Sequence, residues 1–110
     1  MLAEISIVPV GEGEHLAELL KDAIDEVRRS GLTYQVTAMG TLVEGDADEV
    51  WALLRRCHQA ARRQRGRVLT ELRLDDAGDA VPPRLARSVE HVSELLGQPL
   101  RTSAQAPRST

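Results

Sequence analysis

An α+β domain in the order strand, helix, strand, strand, helix, strand, closed by one further short helix, is what the sequence predicts. Three observations predict it. Apolar residues alternate in four short runs and recur at helical spacing in three longer ones. The two middle strand-like runs are separated only by Ala38, Met39 and Gly40, the length of a hairpin turn. With 110 residues, 42% of them hydrophobic and 28% charged, the chain has the size and composition of one globular domain rather than of a disordered segment.

In LAEISIVPV, Ala3, Ile5 and Ile7 fall on one face and Leu2, Glu4, Ser6 and Val8 on the other, as in a strand with one buried face that ends near Pro9. After the loop GEGEH, the apolar residues Leu16, Leu19, Leu20, Ala23, Ile24 and Val27 mark a first helix, and Gly31 stands where a helix C-terminal glycine belongs. LTYQVT and GTLVEG are short, β-branched and alternating, so they read as an antiparallel hairpin. Asp46 precedes a second helical stripe of Val50, Leu53, Leu54, Cys57 and Ala61, with Glu49 placed to complete a capping box; this helix ends at Gly66. RVLTELRLD alternates again as a fourth strand. Leu85, Val89, Val92 and Leu96 space a third helix that starts after Pro82-Pro83 and stops at Gly97.

This order is the split βαβ, or ferredoxin-like, sandwich: a four-stranded antiparallel sheet with both main helices on one face and a short helix appended. Residues 1–97 form the single domain and 98–110, polar and proline-containing, a flexible tail. If Ile5, Ile7, Tyr34, Val36, Leu72 and Leu74 face the helices, then Glu4, Ser6, Gln35, Thr37, Leu69, Glu71 and Arg73 face away. That uncovered face, which also carries Leu2 and Val8, is either solvated or meets another subunit.

Several function classes are disfavoured. A net charge of −3 and only two aromatic residues, Tyr34 and Trp51, argue against nucleic acid. The cationic stretch RRCHQAARRQRGR, with Arg55, Arg56, Arg62, Arg63, Arg65 and Arg67, sits late in its helix, where the helix dipole favours positive charge. No apolar run approaches the ~20 residues of a membrane helix, and the N-terminus lacks signal-peptide features, so a cytoplasmic protein without membrane insertion is expected. Cys57 is the one cysteine, which rules out an internal disulfide, and it falls on the apolar stripe beside a surface His58. His15 and His91 show no partner at metal-ligand spacing, and Gly11 to His15 lacks the lysine of a phosphate loop.

Three blocks, MLAEISIVPVG, SGLTYQVTAMGTLVEGDADEVWALLRRCHQA and RVLTELRLD, resemble those of the small YkoF-related thiamine-binding proteins, ferredoxin-like domains that assemble through their sheets. The resemblance covers residues 1 to 75 and is most specific from Ser30 to Gly45. Ala38 stands where a proline is usual, GEGEH replaces a serine-containing loop, and DAGDAVPPR lacks the usual basic run. The resemblance implies a non-catalytic protein that needs no cofactor and binds thiamine or its hydroxymethylpyrimidine half.

Chemistry suits that implication. An aminopyrimidine needs in-plane donors and acceptors, and a thiazolium carries a permanent positive charge. Gly40 would let the backbone approach a planar ring and take a positive φ; Thr37 and Thr41 offer hydroxyls; Met39 offers a polarisable apolar contact. Glu4 or Glu71 would balance the thiazolium or bond the exocyclic amine, with Ser6 as a neighbouring hydroxyl. Taken singly, each of these residues also reads as ordinary turn or strand chemistry. A homodimer or homotetramer joined through the open sheet faces is expected. Uptake with delivery to a transporter, storage and sensing all stay open as roles. A second reading is a ligand-free oligomeric interaction or regulatory module. A cofactor-free α+β enzyme is a third, and it would need a His or Tyr acid/base in a closed pocket.

Overall fold

The computed structural model describes residues 1–10, 16–64, 66–78 and 83–102. The loop 11–15 with His15, Arg65, Pro82 and residues 103–110 of the tail therefore lie outside the described residues. The element order is β1 (Leu2–Pro9), α1 (Leu16–Arg29), β2 (Thr33–Val36), β3 (Thr41–Glu44), α2 (Ala47–Gln64), β4 (Val68–Asp75) and α3 (Arg87–Leu96). The strands form one antiparallel sheet in the order β2-β3-β1-β4, the ferredoxin-like arrangement expected.

Register settles which side chains share a face, because residues directly opposed in an antiparallel pair project to the same side. Ile5 lies opposite Thr41 and Leu72, Ala3 opposite Val43 and Leu74, and Val36 opposite Thr41. This set faces the helices. Glu4 opposite Leu42 and Arg73, Ser6 opposite Glu71 and Val8 opposite Leu69 make up the uncovered face.

Ile5, Val43, Val27, Leu53 and Cys57 typify the core between α1, α2 and the sheet; Leu53 and Val43 are 0% exposed. Burying a side chain the size of Leu53 contributes about 2 kcal/mol. No aromatic ring enters this core: Trp51 and Tyr34 are 49% and 42% exposed. The edge strands are poorly covered, so all four residues of β2 are exposed and Leu72 and Leu74 of β4 remain 40% exposed on the helix-bearing face.

Two expectations change. The capping box does not close: α2 starts on the Val50 N–H donating to the Asp46 carbonyl, and neither Asp46 nor Glu49, both exposed, makes a side-chain cap bond among the described residues. Water serves the remaining N–H groups there. The third helix begins at Arg87 rather than directly after the prolines, following a turn at Leu85-Ala86.

α3 is amphipathic, yet it buries no residue. It is anchored at its start. The Arg84 and Leu85 N–H groups donate to the two carboxylate oxygens of Glu44, at 2.7 and 2.9 Å, and Arg84 also pairs with Asp75. At its end Gly97 adopts φ 69°, the Gly97 N–H donates to the Glu94 carbonyl and the Gln98 N–H to that of Ser93, which closes the last turn. The following chain is tied back by Gln35 Nε2 donating to the Thr102 carbonyl.

Candidate functional site

The hairpin between β2 and β3 is built on one hydroxyl. The Thr37 N–H donates to the Gly40 carbonyl at 2.9 Å, which leaves Ala38 and Met39 as a two-residue loop. Thr37 Oγ1 donates to that same carbonyl at 2.8 Å and accepts from the Met39 and Gly40 N–H groups, both at 3.2 Å. Two-residue hairpins ordinarily rely on residues with positive φ, which this one lacks, so the threonine side chain supplies the missing organisation.

Gly40 is favoured for a reason the sequence did not disclose. Positive φ occurs at Gly31, Gly78 and Gly97 among the described residues, and Gly40 is not one of them. A Cβ at Gly40 would instead stand 3.0 Å from the Ile5 carbonyl oxygen and 3.3 Å from Glu4 Cγ, tighter than ordinary contact. The close approach that excludes a side chain is to β1 itself. Met39 projects from the turn and is 82% exposed.

Beneath this turn, between α1 and the helix-bearing face of the sheet, lies a cavity of about 170 Å³. Ser6, Thr37, Met39, Gly40 and Thr41 border it, together with Ile5 and Cys57 at its depth and Leu20, Ile24 and Val27 along α1. Among the described residues most of the lining is apolar and none of it is charged. Thr41 is 8% exposed, and its hydroxyl has no hydrogen-bond partner among the described residues. In a wall otherwise so apolar, it is a group able to orient a polar guest.

The seven residues singled out from sequence therefore divide. Five of them border the cavity, although the Ser6 side chain projects to the Glu4 and Glu71 face. Glu4 and Glu71 lie on the opposite face of the sheet, Glu71 paired with Ser6 across β1 and β4 and Glu4 packed beside Gly40. The cavity-lining residues of α1, and Val36, were read from sequence as packing alone. Their stripe has the spacing of any core helix, so periodicity held no signal of a cavity.

Cys57, expected in the core, is 1% exposed and donates from Sγ to the Ala23 carbonyl at 3.4 Å. Burial pushes the thiol up to about 11, and the nearby Glu26 carboxylate adds to the shift. A thiol held protonated this firmly is a poor nucleophile at neutral pH. The neighbouring His58 is half-buried rather than fully at the surface, with Nδ1 2.7 Å from Thr70 Oγ1. Among the described residues no three His, Cys, Asp or Glu side chains are gathered as a metal site, and no helix is long and apolar enough to cross a membrane. The described arginines of the cationic stretch are exposed, and Arg56 pairs with Glu26 at 3.3 Å.

Comparison with known proteins adds the following. A family model described as thiamine-binding protein matches residues 3–93. The UPF0045 protein MJ1052 of Methanocaldococcus jannaschii is 30% identical over 95 residues, which span 86% of this chain and 94% of that protein. Its crystal structure aligns with a TM-score of 0.74, covering 84% of this chain and 95% of that one. The UPF0045 protein Mb1933 of Mycobacterium bovis is 38% identical over 76 residues, 68% of this chain and 74% of its own length. TM0486 of Thermotoga maritima, described as a candidate thiamine biosynthesis/salvage protein, shares the fold at a TM-score of 0.69 and 23% identity, over 86% of this chain and 96% of that one.

Proposed function

The chain belongs to the thiamine-binding protein family, and from that premise we propose that it binds thiamine (vitamin B1), or free hydroxymethylpyrimidine, without transforming it. The observation that carries the reading is the cavity under the hairpin turn with the unpartnered Thr41 hydroxyl in its wall. Its volume, about 170 Å³, suits one six-membered ring: an apolar protein cavity of about 150 Å³ accepts benzene.

Charge decides which half of thiamine enters. A thiazolium moved among the described lining residues, which include no carboxylate, would lose its hydration with nothing there to replace it, whereas the neutral aminopyrimidine needs only in-plane hydrogen bonds. The pyrimidine therefore goes in, oriented by Thr41, and the thiazolium stays at the mouth beside Met39. Thr37 shapes the turn rather than the ligand, since its hydroxyl already makes three hydrogen bonds. Glu4 and Glu71, across the sheet, do not share this pocket. The protein acts in the cytoplasm as a carrier, store or sensor, with no cofactor, and assembles as a homodimer or homotetramer through its uncovered sheet faces.

Thermal unfolding with thiamine, hydroxymethylpyrimidine and hydroxyethylthiazole tests the reading. At 100 times the dissociation constant a single-site ligand stabilises by about 2.7 kcal/mol, a shift of roughly ten degrees in a domain of this size. The first two compounds are expected to shift the transition and the thiazole to leave it unmoved. No shift with any of them sinks the binding reading in favour of the ligand-free interaction module, which the exposed cross-strand pair Val8 and Leu69 also suits.

A further inference from the structure

A groove of about 1070 Å³ runs between β2 and α3, far larger than the cavity under the turn and sharing only Val36, Thr37 and Ala38 with it among the described residues. One wall is an open sheet edge. Because Thr37 and Gly40 form a hydrogen-bonded pair, alternation along the hairpin makes Gln35 with Leu42 and Thr33 with Glu44 the next such pairs. The N–H and C=O groups of Tyr34 and Val36 consequently point away from β3, into the groove. They are spaced as the next strand of a sheet would need them.

The other wall is the helix that buries none of its own residues, with Leu85, Val89 and Leu100 facing the gap. Among the described residues that line the groove two are charged, Glu90 and Glu94, one helical turn apart on α3. Both are exposed, and Glu94 lies 4.0 Å from His91. An edge strand facing a helix across an apolar gap is the arrangement in which extended peptides add to a sheet: main-chain bonds give affinity and alternate side chains give specificity.

The geometry points to a docking site for an extended segment of a partner protein in which apolar residues alternate with Lys or Arg. The segment would pair with the free edge at Tyr34 and Val36, place its apolar side chains against Leu85 and Val89, and set its basic ones against Glu90 and Glu94. Charge complementarity selects this occupant, since the described residues of the groove include two acidic groups and no basic one. The site does not depend on the thiamine reading.

The probe is an acetylated, amidated heptapeptide alternating valine and arginine, compared with its valine and glutamate counterpart and with a version carrying proline at the centre. Fluorescence polarisation at low salt and amide hydrogen exchange are the readouts. The arginine peptide is expected to bind at least tenfold tighter than either control and to slow exchange at Tyr34 and Val36 at least tenfold. The double variant Glu90→Lys, Glu94→Lys should reverse the preference between arginine and glutamate. Equal binding of the two charged peptides, or unchanged exchange at both amides, overturns the proposal. So does protection of both amides in the peptide-free protein that grows with its concentration, which would show a second copy filling the groove.

Discussion

Thr41 and Thr37 stand four residues apart and perform opposite tasks. Thr41→Val keeps the shape of the cavity wall and removes a hydroxyl there that has no partner among the described residues, so the thermal shift with hydroxymethylpyrimidine should shrink while the ligand-free transition stays close to that of the parent. A ligand shift unchanged by this substitution would take Thr41 out of the site. Sequence reading grouped Thr41 with Glu4 and Glu71, yet register puts it on the other face. The signal was present in the hairpin, since a two-residue loop closed by Thr37 and Gly40 forces Thr41 opposite Val36. Cys57 gives a second prediction at this scale. Its folded thiol holds a proton up to about 11, against an ordinary 9.0, so the unfolded chain ionises first as pH rises. The stability tied to this group is complete below about pH 9 and is lost as pH climbs toward 11, a loss on the order of 2 to 3 kcal/mol. Urea unfolding across that window should show the decline, and Cys57→Ala should flatten it.

Elements differ in how securely they are held. α1 and α2 are fixed by the core, whereas α3 hangs from the Glu44 carboxylate at its start and from the short segment ending at Thr102. Glu44 is 8% exposed, and its two oxygens serve two backbone N–H groups. Glu44→Gln leaves one acceptor for those two donors. Amide exchange through α3 should then accelerate at least tenfold while β1 and α2 keep their protection, because α3 contributes nothing to the buried core. Unchanged exchange in α3 would mean that another contact secures the helix. The existence and type of all seven elements were legible in the sequence, because binary periodicity and glycine punctuation agreed along the chain. What the periodicity of Leu85, Val89, Val92 and Leu96 could not reveal was that Leu85 and Val89 would face a gap while Val92 and Leu96 stay exposed. A stripe records that a surface is apolar and leaves open what covers it. Glu44 was invisible for a related reason: its partners lie 40 and 41 residues away, and no local pattern announces a carboxylate that caps a distant turn.

At the scale of the molecule, the face of the sheet opposite α1 and α2 is only partly covered, at the end where α3 and Thr102 are tied to Glu44 and Gln35. Val8 and Leu69, directly opposed and 49% and 53% exposed, form an apolar pair at the β4 edge of that face, near the end of β1. Pairing of two such faces would remove them from water, and Leu69→Lys should therefore leave a monomer near 12.1 kDa by light scattering where the parent is larger. A parent that scatters as a monomer would sink the assembly. The ferredoxin-like topology could be read from the element order because few arrangements connect such a sequence without crossing. The site was only partly legible, since a cavity depends on how far α1 stands from the sheet, a distance that no residue pattern encodes. The aliphatic core has one further consequence, for spectroscopy. With Trp51 and Tyr34 both half in water before the chain unfolds, and no phenylalanine in it, the intrinsic fluorescence and near-ultraviolet dichroism of the protein should change little on unfolding. Loss of its tertiary packing has to be followed through methyl resonances, amide exchange or heat capacity.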